Sequence, residues 1–194
     1  MAKLKFYFGA MNSAKTLNLL AVCHNYEVLN KHVVILTPSI DTRSDVNEVA
    51  SRVGLTHRAV GISPSDSVIT ALSKAGNDIS CVLVDEAQFL TEKQVDDLVV
   101  VVDELKIPVI VYGLKTSFQG KLFPGSKALL ECADEIHEIV TICPFCARKA
   151  TYNVRLVDGK KAESGDVVQI GGNESYQAVC RYHFNHYPKR REQY

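Results

Sequence analysis

The stretch Gly9-Ala10-Met11-Asn12-Ser13-Ala14-Lys15-Thr16 carries most of a phosphate-binding signature. The pattern is a glycine, four residues, a second glycine, a lysine, and a serine or threonine. Gly9, Lys15 and Thr16 satisfy it, and Ala14 stands where the second glycine belongs. In such a loop the backbone N–H groups wrap phosphate oxygens, the lysine reaches the terminal phosphates, and the hydroxyl ligates Mg2+. The Ala14 methyl costs little at helical φ and ψ. At positive φ, or with a phosphate oxygen packed on the Cα, it costs on the order of 1 kcal/mol. In that second case affinity is weakened and the site is not abolished.

Two further groups of residues carry chemistry. The segment Val82-Leu-Val-Asp85-Glu86-Ala-Gln88-Phe89 ends an apolar run in two acids. In open α/β sheets ligands bind beyond the carboxyl ends of the strands, which makes Asp85 a partner for hydrated Mg2+. Neighbouring residues of a regular strand point to opposite faces, so Glu86 is left free to act as a base. Farther on, Cys143-Pro-Phe-Cys146 and Cys180-Arg-Tyr-His183 form CxxC followed by CxxH. Two close pairs of sulfur and imidazole donors suit a tetrahedral, structural Zn2+ with no open position. His186 is the rival fourth ligand, at a longer spacing from Cys180. Cys23, Cys81 and Cys132 lie in apolar surroundings and are expected in the core.

The elements that would position these groups alternate between strand and helix. Apolar or β-branched runs occur at 4–8, 32–37, 81–86, 108–114 and 136–142, with a further strand expected near the end of the irregular stretch 49–60. Helical spacing follows the loop from Lys15 to Leu29. A second helix is expected to be capped at Ser65 or Asp66 and to run to about Lys74. Thr91 with Gln94 forms a capping box for a third, reaching about Leu105, and 125–135 reads as a fourth. Continuous apolar strands separated by helices indicate an α/β fold with a mostly parallel sheet covered on both faces.

After Cys143 the chain turns polar and glycine-rich, so we expect residues 1–140 to form the phosphate-binding domain and 141–194 a small unit in which metal substitutes for a large core. Between the two metal pairs, Ile170-Gly171-Gly172-Asn-Glu-Ser-Tyr176 offers two permissive glycines and a flat phenol ring. That suits a pocket for a flat ring closed by main chain, or an ordinary glycine turn; composition alone does not choose.

The chain has 194 residues, is 46% hydrophobic, and balances 22 Lys plus Arg against 22 Asp plus Glu. A neutral total supplies no bulk electrostatic pull toward nucleic acid or membrane. No apolar run approaches the roughly 20 residues of a bilayer span, and the N-terminus lacks a secretion signal, so a cytoplasmic setting is expected.

Taken in order, GAMNSAKT, SIDTR (39–43), VDEAQF, LKTSFQGKLF (114–123), CPFC, IGGNESY and CRYH resemble the thymidine kinases of the cellular, zinc-bearing type (the type II family), over nearly the whole chain. The resemblance implies a P-loop fold, transfer of the γ-phosphate of ATP with Mg2+ to the 5′-hydroxyl of thymidine or deoxyuridine, a structural Zn2+, a homotetramer, and feedback binding of thymidine triphosphate. By position it implies Glu86 as the catalytic base and residues 9–16 as the ATP loop. It puts Asp41 and Arg43 near phosphates and metal. It sets Gln88 with the nucleotide residues, and Phe89, Phe118 and Phe123 on the nucleoside side. Ile170, Gly171, Gly172 and Tyr176 would close over the base. Ala14, Lys115 and His183 depart from the commoner family residues. The competing reading is a P-loop ATPase or regulatory nucleotide-binding protein with a zinc module, using water as acceptor.

Overall fold

The computed structural model describes residues 1–39, 48–157, 159–162, 164, 165, 167 and 176–188. Its main sheet has six strands in the order β5-β2-β6-β7-β1-β8. These are β1 (Leu4–Phe8), β2 (His32–Pro38), β5 (Val60–Ile62), β6 (Ile79–Val84), β7 (Val109–Gly113) and β8 (Glu135–Glu138). Every neighbouring pair runs parallel, which requires crossovers. Those come from α1 (Lys15–Glu27), α2 (Val68–Ala75), α3 (Glu92–Asp103) and α4 (Pro124–Cys132).

Side-chain alternation sorts the strands onto two faces. Phe6, Val34, Leu36, Val82, Val84, Val109 and Val111 pack with Val68 and Leu72 of α2, Val95 and Leu98 of α3, and Leu129 of α4. On the other face, Ile35, Cys81, Leu83 and Tyr112 pack with Leu19, Leu20 and Cys23 of α1. Val49 and Ala59 join that second cluster from a small antiparallel hairpin, β3 (Glu48–Ala50) with β4 (Thr56–Arg58), and its flank. The central strands β2, β6 and β7 are largely apolar on both faces because both faces are covered.

Four local expectations are corrected. The helix α2 starts from Ser67, not Ser65 or Asp66, because Asp97 of α3 accepts hydrogen bonds from the Ser67 hydroxyl and the Val68 N–H, 2.8 Å each. A carboxylate from a neighbouring helix does the work of a local cap. Strand β6 stops at Val84 rather than running to Glu86, because Glu86 takes a left-handed conformation at φ 51°. The run 136–142 divides: β8 ends at Glu138, and β9 (Thr141–Ile142) pairs instead with β10 (Lys149–Ala150). Cys132, at the end of α4, is exposed rather than in the core, whereas Cys23 and Cys81 are buried. The capping box at Thr91 and Gln94 forms as expected.

Beyond β9, β11 (Tyr152–Val157) pairs antiparallel with β12 (Lys160–Lys161) and β13 (Tyr176–Val179), and α5 (Arg181–Asn185) follows. The core here is small: Cys143, Ala150, Val154, Ala178, Val179 and Cys180, joined by Ala10 of the first loop. Among the described residues no helix is long and apolar enough to cross a membrane.

Candidate active site

The loop of residues 9–14 joins the end of β1 to the start of α1, as a phosphate loop must. Gly9 is required for close approach: a Cβ there would lie 2.6 Å from the carbonyl oxygen of Ile139. Ala14 adopts φ 61° and ψ 29°. The sequence left its conformation open; it is the strained alternative.

Among the described residues the N–H groups of Ser13, Ala14, Lys15 and Thr16 find no acceptor. They stand at the positive end of the α1 dipole, where anions are held. The Lys15 ammonium is buried, 8% exposed. It donates to the carbonyls of Ala10 (2.8 Å) and Gly9 (3.4 Å) and to the Ser13 hydroxyl (3.4 Å), with no carboxylate among these partners. Burial pushes its pKa below the ordinary lysine value, against the pull of Glu86 and Asp85. A buried ammonium bonded only to neutral oxygens, beside a row of unpaired amides, is the donor set that a polyphosphate satisfies.

The residues around this loop enclose a cavity of about 350 Å³, lined by Met11 to Leu17, Ala50 to Val53, Glu86 and Leu114. Asp85 reaches the same helix start, where its Oδ2 accepts from the Thr16 hydroxyl at 2.8 Å. Burial, then the neighbouring Glu86 carboxylate, raise the Asp85 pKa from 3.8 to about 6. A hydroxyl and a buried carboxylate side by side are hard oxygen donors of the kind Mg2+ accepts.

A second cavity, of about 200 Å³, is lined by Met11, Glu86, Gln88, Phe89, Leu114, Thr116, Ser117, Phe118, Phe123, Asn153, Val167 and Tyr176. Phe89 and Phe123 meet edge to face, with ring centroids 5.6 Å apart. The guanidinium of Arg155 lies over the Phe118 ring at 4.1 Å and bonds the Ser164 carbonyl. Aromatic walls with a few amide and hydroxyl groups suit a flat, polar-edged ligand. Three residues line both cavities: Met11, Glu86 and Leu114. The left-handed turn at Glu86 brings its side chain to that shared wall. Gln88, 1% exposed, holds it there: its Nε2 donates to Glu86 Oε2, and its Oε1 accepts from the Leu114 N–H at 2.9 Å. Gly113 makes room, since a Cβ there would come within 2.8 Å of Gln88 Oε1.

The structure therefore gathers Gly9 to Thr16, Asp85 and Glu86 at one cleft, with Phe89, Phe118, Phe123 and Tyr176 around the adjoining cavity. Gln88, grouped from the sequence with the nucleotide residues, lines the aromatic cavity instead. Lys115 faces the Phe8 ring at 5.2 Å and lines neither cavity. Asp41, Arg43, Ile170, Gly171 and Gly172 lie outside the described residues. Sequence reasoning missed two residues. Arg52 lines the loop cavity from the β3–β4 turn. Asn153 of β11 accepts from the Met11 N–H at 2.8 Å. Neither has a local signal: Arg52 sits in a stretch without periodicity, and the partner of Asn153 lies far off in the chain.

The downstream metal pairs also converge. Cys143 Sγ and Cys180 Sγ stand 3.5 and 3.4 Å from His183 Nδ1, and Cys146 Sγ is 3.6 Å from Cys180 Sγ. All four ligand atoms lie within 4.8 Å of one another. Zn–S bonds of about 2.3 Å and Zn–N bonds of about 2.0 Å give tetrahedral edges of roughly 3.5–3.8 Å, so the set fits Zn2+. The sulfurs are far beyond the ~2.05 Å of a disulfide. His186, the rival, lies outside the cluster, with Nδ1 beside the Tyr182 carbonyl at 3.2 Å.

The chain resembles known proteins over nearly all its length. A family profile described as thymidine kinase matches residues 2–184. A thymidine kinase of Lactiplantibacillus plantarum is 49% identical over 97% of this chain and 98% of its own length. Those of Lactococcus lactis and Streptococcus pyogenes are 50% and 48% identical, each over 95% of this chain and 97% of theirs. A match of this extent, which takes in the loop, the acid pair and the Cys/His cluster, makes the chain a member of the thymidine kinase family.

Proposed function

We propose that this protein transfers the γ-phosphate of ATP to the 5′-hydroxyl of thymidine or deoxyuridine, yielding the nucleoside monophosphate for salvage. The observation that carries this reading is the position of Glu86 on the wall shared by the loop cavity and the aromatic cavity. A sugar hydroxyl is almost fully protonated at neutral pH and needs an acceptor as it attacks phosphorus. Glu86, oriented by Gln88, takes that proton. The loop amides and Lys15 bind and neutralise the phosphates, with Arg43 assigned to the same task on its motif alone. Mg2+, held through Thr16 and Asp85, with Asp41 assigned to it on its motif alone, would supply further neutralisation of the phosphate charge when bound.

The nucleoside base lies among Phe89, Phe118, Phe123 and Tyr176. Assignment of Ile170, Gly171 and Gly172 to the thymine edge rests on the family motif. In this reading residues 1–140 are the ATP-binding domain and residues 141–194 a zinc-stapled lasso closing the nucleoside site. The homotetramer and feedback by thymidine triphosphate follow from the resemblance, and both belong, with the cytoplasmic setting, to the same proposal.

The test is ADP release from ATP–Mg2+ with and without thymidine. Turnover is expected only with the nucleoside. Equal turnover in its absence means that water is the acceptor, and the protein is then an ATPase.

A further inference from the structure

A second group of soft and borderline ligands lies toward the C-terminal end of α1, away from the helix start that lines the loop cavity. Cys23 and Glu27 stand one turn apart on α1, and His57 comes from β4 of the hairpin packed against that helix. Cys23 Sγ is 3.7 Å from His57 Nε2, which is 2.8 Å from Glu27 Oε1. The three ligand atoms lie within 4.8 Å of one another, and among the described residues only this cluster and the CxxC–CxxH cluster bring three or more such donors together.

The histidine ring decides what this cluster can hold. Its Nδ1 lies 2.8 Å from the carbonyl oxygen of Arg58. A carbonyl only accepts, so Nδ1 carries a proton, and a neutral ring then has its lone pair on Nε2. That lone pair faces a carboxylate and a sulfur. In the metal-free protein the Cys23 thiol proton, or a proton on Nε2, lies among these three groups, and a divalent cation at the same point would take its place. A backbone carbonyl fixing the far nitrogen is also the usual support of a metal-bound imidazole.

We propose that Cys23, Glu27 and His57 form a second metal site, for a borderline divalent ion such as Zn2+, with water in the fourth position. Thiolate and imidazole select such an ion over Mg2+ or Ca2+. His57 and Glu27 keep side-chain exposures of 31% and 46%, which gives the ion a path from solvent, while Cys23 forms the buried floor. Binding releases the thiol proton, and any Nε2 proton, to solvent. The ion ties the β3–β4 hairpin to α1. The turn of that hairpin carries Ser51, Arg52 and Val53, which line the loop cavity, so the metal steadies one wall of the phosphate site.

The test is a Co2+ titration of the full-length, chelator-stripped protein, read by thiolate-to-cobalt charge transfer and repeated with Zn2+ in competition. Two equivalents per chain are expected in the wild type. His57→Ala and Cys23→Ala should each lose the weaker equivalent and keep the tight one, whose retention also reports that the fold is intact. Added Zn2+ should slow amide exchange across residues 48–58 in the wild type and not in His57→Ala. A single equivalent in the wild type overturns the proposal and leaves Glu27 and His57 as an ion pair. So does a second equivalent that survives both substitutions, or one that binds only at roughly millimolar ion. If Cys23→Ala does not fold, His57→Gln and the wild-type stoichiometry still decide.

Discussion

Replacing Ala14 with glycine separates strain held in the fold from obstruction of the ligand. Ala14 sits at φ 61° and ψ 29° immediately before α1. A residue bearing a Cβ is about 1–2 kcal/mol less stable there than in the right-handed region. Glycine removes that term but gives the unfolded chain more freedom, worth about 0.4–1 kcal/mol in the opposite direction. The difference is a net stabilisation of about 0.5–1 kcal/mol. At about 2–4 °C per kcal/mol for a domain of this size, Tm should rise by about 1–4 °C. The left-handed geometry exists without nucleotide, so the strain is common to free and bound protein. The Kd for an ATP analogue with Mg2+ should therefore stay within about twofold. Scanning calorimetry of the ligand-free protein and titration calorimetry with a non-hydrolysable analogue measure the two quantities. An unchanged or lower Tm together with a tenfold tighter Kd would refute the reasoning, because the methyl would then be obstructing phosphate rather than straining the chain.

Three other outcomes are expected. Glu86→Gln should bind ATP and thymidine normally yet lose roughly 10²–10⁴-fold in phosphorylation rate, measured by single-turnover kinetics; near-normal turnover removes Glu86 from the base role. Asp85 has its folded pKa raised from 3.8 to about 6, so the native state holds this proton longer than the unfolded chain and loses stability as pH rises through that window. Asp85→Asn should remove that descending limb from Mg2+-free thermal melts between about pH 4 and 6, by at most about 3 kcal/mol, while activity is lost; an unaltered pH profile would contradict the assigned shift. Chelation of Zn2+ from the CxxC–CxxH cluster should release the residues after Thr141 to proteolysis while 4–138 stays resistant, and a uniformly resistant apo protein would show that metal is not what holds that unit.

Much of the parallel sheet and of the phosphate loop can be read from sequence because the determinants are local. A short apolar run, Gly9, Lys15 and a helical repeat are contiguous, and the Thr91–Gln94 box closes within a single turn. The two metal pairs are legible for the same reason, since each is three residues apart. Features that depend on distant partners are not legible. Asp97 moves the start of α2 to Ser67 from across a helix interface. The left-handed turn at Glu86, which lets one carboxylate face two cavities, has no glycine or asparagine to announce it. Arg52 sits in a stretch without periodicity, and Cys132 reads as apolar although it ends exposed on α4.

The hydrogen bond from Met11 to Asn153 spans 142 residues of sequence. The curvature of the first loop is thus a property of the whole polypeptide and not of its opening segment. A minimal version trimmed back to the six-stranded sheet would retain its scaffold yet present a first loop missing one anchor. Insertions between Cys146 and Asn153 would be felt at the opposite end of the chain, so the length of that connection is constrained by a loop it never adjoins in sequence.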